Sequence, residues 1–193
     1  MIIIIPRWPN DFTPCFKKGP FSQRDLGQAL LGELLEDNTG SLLQGEIQMR
    51  INDSSAFHKE NIFGLGQANT AYAQYFTGYS YLNPLTEKGQ CPVSLANVTF
   101  EPGCRNHWHI HRASEGGGQI LICTAGEGWY QEEGKKPVSL IPGMVITIPA
   151  NVKHWHGAKK DSWFSHIAVE VPGVETSNQW LEPVEDETYD GLE

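Results

Sequence analysis

The chain has 193 residues, 39% of them hydrophobic and six of them tryptophan, enough for one sizeable core and too apolar for a disordered protein. A formal charge of −9 argues against a nucleic-acid partner or an acidic membrane surface. The opening MIIIIP lacks a basic start, and its apolar run is too short for a signal or membrane helix, so a cytoplasmic location is expected.

Residues 1–60 read as an N-terminal extension, either a cover for the remainder of the chain or part of a homodimer contact. Four prolines punctuate its first twenty positions. Residues 26–36 then place Leu26, Ala29, Leu30 and Leu34 at helical spacing, and Asn38-Thr39-Gly40 ends that stretch. Residues 45–52 alternate apolar and polar side chains like a half-buried strand. His58 is expected at the surface.

Residues 61–193 are β-like. Short runs rich in Val, Ile, Tyr, Phe and Thr recur between Gly, Pro and Asn turns, which predicts an all-β double-sheet jelly-roll barrel. No long helical patterns alternate with them, so a parallel α/β fold is disfavoured. In SLANVTF, residues 94–100, Ala96, Val98 and Phe100 share a face and are expected to form an apolar substrate wall. Tyr72, Tyr75 and Tyr79 precede that strand, to line the pocket or merely to pack.

The stretch GCRNHWHIHRASEGGGQILICTAG, residues 103–126, carries the chemistry. In a strand, alternate side chains point the same way, so His109 and His111 project together and can share a metal ion. A histidine from another strand would close such a site. His107 shares their parity but falls where the strand begins, and Arg105 is expected to fix a loop. Downstream, PGMVITIPANVKHWHG, residues 142–157, puts His154 and His156 on one face and Trp155 on the other. On the last strand His166, Ala168 and Glu170 share a face. The acidic tail LEPVEDETYDGLE is expected to hold one short terminal helix. Cys15, Cys91, Cys104 and Cys123 show no C-x-x-C spacing, and no disulfide framework is expected.

The two histidine-bearing segments resemble the paired motifs of the cupin superfamily, G-x5-H-x-H-x3,4-E-x6-G and G-x5-P-x-G-x2-H-x3-N. The first matches at Gly103, His109 and His111, and the second at Gly143, Pro149 and His154. Asn151 stands at the second motif's internal glycine, a turn position that asparagine tolerates through positive φ. Ala158 replaces its final asparagine. The resemblance implies a double-stranded β-helix barrel and one divalent transition metal, whether Mn, Fe, Zn, Ni or Co. Two residues compete as its fourth ligand. Glu115 meets the spacing from the histidines, whereas Gln119 meets the spacing to the closing glycine, Gly126. We read 112–118 as a lengthened loop and prefer Gln119, with Glu115 as the alternative. A carboxamide would leave the ion its full charge of about +2, whereas a carboxylate would cut it to about +1.

Within the superfamily the chain is similar to small single-domain bacterial cupins, those related to carboxymuconolactone decarboxylases and the cupin-type hydroxynitrile lyases. The latter imply metal ligands His109, His111, Gln119 and His154, and a further histidine at His166. Where those lyases carry a glutamine, this chain has Glu170. The resulting expectation is a metal-dependent enzyme acting on a small oxygenated molecule by lyase-type cleavage or proton transfer, with His166 moving the proton and His156 or Glu170 assisting. The alternatives are an iron(II) oxygenase and a non-catalytic metabolite-binding barrel. A homodimer is the expected assembly.

Overall fold

The computed structural model describes residues 53–87 and 89–192, which lie in one compact unit. The helix and strand expected at 26–36 and 45–52 fall outside the described residues. The described part begins with helix α1 (Ser54–Glu60), whose N-cap Asp53 accepts a hydrogen bond from the Ser55 amide at 2.8 Å. Strands β1 (Gln67–Ala68), β2 (Phe76–Thr77), β3 (Ser80–Pro84) and β4 (Ser94–Phe100) lead to the first histidine segment. That segment forms β5 (Arg105–Asn106), β6 (His109–Arg112), β7 (Glu115–Gly116) and β8 (Gln119–Gly126). After it come β9 (Gly128–Glu132), β10 (Val138–Leu140), β11 (Val145–Ile148) and β12 (Lys153–Ala158). The chain closes with β13 (Phe164–Glu170), β14 (Gly173–Val174), β15 (Ser177–Trp180) and the short helix α2 (Asp186–Asp190).

The strands make two antiparallel sheets. One runs β1-β3-β4-β13-β8-β11; the other runs β10-β9-β12-β5-β2, with β6 pairing β12 and β15. The expected all-β, double-stranded β-helix architecture is therefore present, together with the short terminal helix. Period-two alternation fills the space between the sheets. Val98 and Phe100 from β4, Leu121 and Cys123 from β8, and Phe164 and Ala168 from β13 meet Tyr130, Leu140 and Ile148 there. Burying each large apolar side chain contributes roughly 1.5–3 kcal/mol.

The outward residues of β4 are buried too, because α1 covers the back of its sheet. Asn97, Thr99 and Ser165 are all solvent-free. Ser165 Oγ donates to Asn97 Oδ1 at 2.9 Å, Asn97 Nδ2 donates to Asn61 Oδ1 at 3.1 Å, and Asn61 Nδ2 donates to Thr99 Oγ1 at 3.2 Å. An unpaired member of such a network would cost about 1–3 kcal/mol. Phe57 of α1 stacks on Trp163, with ring centroids 5.3 Å apart.

Two local features depart from simple alternation. The β13–β8 register shifts between Ser165 and His166: Ser165 faces Ala125 whereas His166 faces Cys123. The extra residue, Thr124, is a bulge that turns Ala125 outward against Phe57 and Trp163. The cysteines need one correction, since Cys91 in the β3–β4 connection is disulfide-bonded. Cys104 and Cys123 are buried free thiols, each pushed up to about 12 by burial. Among the described residues, no helix is long and apolar enough to cross a membrane.

Candidate metal centre

β6 lies between β12 and β15, so His109 has His154 as its register partner on one side and Trp180 on the other. That placement brings His109, His111 and His154 together, with their ligating atoms within 4.8 Å of one another. All three are buried, and their ring centroids are 4.2 to 5.4 Å apart.

The tautomers follow from the acceptors. His109 Nδ1 donates to the His107 carbonyl at 2.9 Å, and His154 Nδ1 donates to the Val152 carbonyl at 3.0 Å. A carbonyl oxygen can only accept, so each ring carries its proton on Nδ1 and keeps a lone pair on Nε2. His111 Nδ1 lies 3.3 Å from Glu170 Oε2, which favours the same tautomer. His109 and His154 thus present Nε2, and the Nε2 of His154 and both ring nitrogens of His111 are buried without a hydrogen-bond partner.

Gln119 faces Glu170 across the β13–β8 pair. Its Nε2 donates to Glu170 Oε1 at 3.2 Å, while its own Oε1 is buried and unpartnered. Unsatisfied buried acceptors on converging side chains suit a cation, because each would otherwise carry an uncompensated desolvation cost. The three-histidine group could therefore hold a metal ion, and Gln119 offers a further unpartnered acceptor. Glu115 is exposed on β7, opposite Val174, and is not part of the three-histidine group.

A cavity of about 460 Å³ opens onto this group. The expected wall of Ala96, Val98 and Phe100 lines it, as do His156, His166 and Glu170. His166 is solvent-free beside Phe100 and Phe164, and burial pushes it down to about 4. Burial likewise lowers His154 to about 4 and holds His109 and His156 well below the usual histidine value. All four are neutral near pH 7, the state in which imidazole binds metal or accepts a proton.

Other candidates are placed elsewhere. His107 contributes its backbone carbonyl to His109, and its side chain does not line the cavity. His58 is exposed on α1. Arg105 binds the Val184 carbonyl, pairs with Asp186 and lies over the Tyr189 ring at 4.3 Å, so it anchors α2. Of the three tyrosines, Tyr72 lines the cavity, Tyr75 stacks on Trp180 at 4.7 Å, and Tyr79 is exposed.

Sequence reading missed Trp180 and Asn106. Trp180 packs against the His109 ring with centroids 4.8 Å apart and walls the cavity. Its strand, SNQW, belongs to neither histidine motif, and only the tryptophan itself hinted at a buried position. Asn106 binds His156 and sits in the first motif as an ordinary spacer.

Comparison with known proteins agrees with this geometry. A model of the cupin domain matches residues 96–169. An (R)-mandelonitrile lyase from Granulicella tundricola is 40% identical over 118 residues, which are 61% of this chain and 87% of that protein. The crystal structure of a cupin-like protein from Thermotoga maritima has 38% identity and a TM-score of 0.59, over 67% of this chain and 94% of its own. Both motifs stand on paired strands of a double antiparallel sheet, and these two relatives are matched over most of their own length: the chain belongs to the cupin family.

Proposed function

We propose that this chain is a metal-dependent enzyme that acts on a small oxygenated organic molecule by lyase-type cleavage or proton transfer next to a carbonyl or hydroxyl. The observation that carries the reading is that His111 and Gln119, with buried and unpartnered Nε2 and Oε1, line one cavity with a neutral, solvent-free His166, while His154 Nε2, also unpartnered, belongs to the same three-histidine group. His109, His111, His154 and Gln119 would hold the ion. A divalent ion bound there supplies Lewis acidity toward a substrate oxygen.

The chain's own groups do the rest. Val98, Phe100 and Trp180 give the substrate an apolar wall and exclude water. His166, neutral and free at both ring nitrogens, takes the proton as it leaves the substrate hydroxyl. His156 assists from the facing sheet, and Glu170 assists by holding Gln119 and His111 in place. The likeness to a protein named for (R)-mandelonitrile makes cyanohydrins the first substrates to test.

The test is elemental analysis of the untagged protein beside an assay for aldehyde release from (R)-mandelonitrile. About one equivalent of divalent metal, lost in His109→Ala and Gln119→Ala, supports the site. His166→Ala should bind metal and lose turnover; unchanged turnover rejects the proton role. Oxygen uptake coupled to substrate loss would move the reading to an iron(II) oxygenase. Ligand retention without turnover would leave a binding barrel.

A further inference from the structure

Asn106 and His156 are joined by two hydrogen bonds, and together they decide where the His156 proton sits. Asn106 Oδ1 accepts from the His156 backbone N–H at 2.9 Å, and Asn106 Nδ2 lies 3.0 Å from His156 Nε2. The first bond orients the amide, because a backbone N–H can only donate and the atom facing it must be the oxygen. Nδ2 therefore faces the ring, and it can only donate. His156 Nε2 is then the acceptor, and the proton of the neutral ring resides on Nδ1.

Both residues are nearly solvent-free, at 2% and 4% exposure, so water does not compete for these bonds. His156 Nδ1 is buried and has no partner, and both residues line the cavity. His166, with neither ring nitrogen paired, stands edge-on to His156 with centroids 4.9 Å apart.

We infer that Asn106 is a positioning residue that locks His156 as a hydrogen-bond donor through Nδ1–H, leaving His166 as the proton acceptor of the pocket. Two histidines of the same type thereby take opposite roles, and the asymmetry comes from one amide. An unpartnered N–H buried in a largely apolar cavity selects ligands that bring an acceptor atom to it, such as a carbonyl or hydroxyl oxygen or a nitrile nitrogen. A hydrocarbon of the same shape leaves that donor unsatisfied and binds more weakly. This consequence for ligand choice rests on the proposed function; the tautomer does not.

The experiment is long-range proton–nitrogen NMR on the full chain labelled with ¹⁵N-histidine, with His156→Gln used to assign the resonance. His156 should show a protonated, pyrrole-type Nδ1 and a pyridine-type Nε2, a pattern that overall fold integrity does not produce. Asn106→Asp puts a carboxylate oxygen where the amide nitrogen was and should move the proton to Nε2. Asn106→Ala should give a mixture of the two tautomers. A protonated Nε2 in the unsubstituted protein overturns the inference, as does an unchanged tautomer in Asn106→Asp. The unsubstituted spectrum decides even if neither variant folds. Because no metal or substrate enters the measurement, its failure is separate from failure of the lyase reading.

Discussion

His156 of β12 and His166 of β13 face each other across the two sheets, ring planes 81° apart, at positions that solvent barely reaches. Burial pushes His166 down to about 4, whereas an unfolded histidine titrates near 6.5. Below about pH 6.5 the unfolded chain therefore takes up protons that the native chain refuses. Stability is full above that value and is lost as pH falls through about 4. His166 contributes at most about 3 kcal/mol to this slope, and His154, shifted the same way, adds to it. Denaturant unfolding of metal-free protein at several pH values in that window should show the slope, and His166→Phe should flatten it. An unaltered slope would show that His166 is not the buried group responsible.

Glu170 touches Gln119 Nε2 with one oxygen and approaches His111 Nδ1 with the other. Removing it should weaken metal binding by about 10–100-fold, the usual effect of losing a partner that orients a ligand. Its side chain is 42% exposed, so the metal-free melting temperature of Glu170→Ala should hardly change. Glu170→Gln should lose less affinity than Glu170→Ala. Combined with Gln119→Ala, the losses should be less than multiplicative, because both act on one ligand. Fully independent losses, measured by chelator competition, would rule out this coupling.

Gly126 closes the first motif in a left-handed conformation, with φ +66°, and a Cβ there would stand 1.9 Å from the Trp163 carbonyl oxygen. Gly126→Ala should cost more than about 3 kcal/mol, since both the backbone and a carbonyl must give way. Gly134, at φ +74°, has open space around the same position. Gly134→Ala should cost only about 1 kcal/mol. Equal losses in denaturant midpoint would show that conformation, not the close approach, dominates at Gly126.

Arg105 and Asp186 form an ion pair of unequal burial, 5% against 84% exposed. Asp186→Ala should cost less than about 1 kcal/mol, as for other solvent-screened pairs. Arg105→Ala should cost about 2–4 kcal/mol, because it strips the Val184 carbonyl of its donor and uncovers the Tyr189 ring. Protease sensitivity near α2 should rise in the arginine variant alone.

Much of the site was legible because strand parity is a local rule. Gln119, Leu121 and Cys123 face inward as their spacing requires, and His154 and His156 point away from Trp155, which packs with Trp129 and Tyr189 instead. Asn151 adopts φ +67° at the position where the motif resemblance anticipated a positive φ. Parity fails at Ala125, because the Thr124 bulge reverses the alternation and nothing in TAG marks it.

The sequence by itself determined the all-β class, the two motifs, the inward faces of the strands and the chemical types of the donors, since these follow from residue identity and a period of two. Only the tertiary structure showed that Gln119 is buried on the cavity that His109 and His111 line, whereas Glu115 is exposed on β7. It also brought Trp180 to His109, Glu170 to Gln119 and Asn106 to His156. The last two pairs are 51 and 50 residues apart along the chain, and only the folded strands make them neighbours. Register across strands, not spacing along the chain, sets which side chain holds another, and register is a property of the folded sheets.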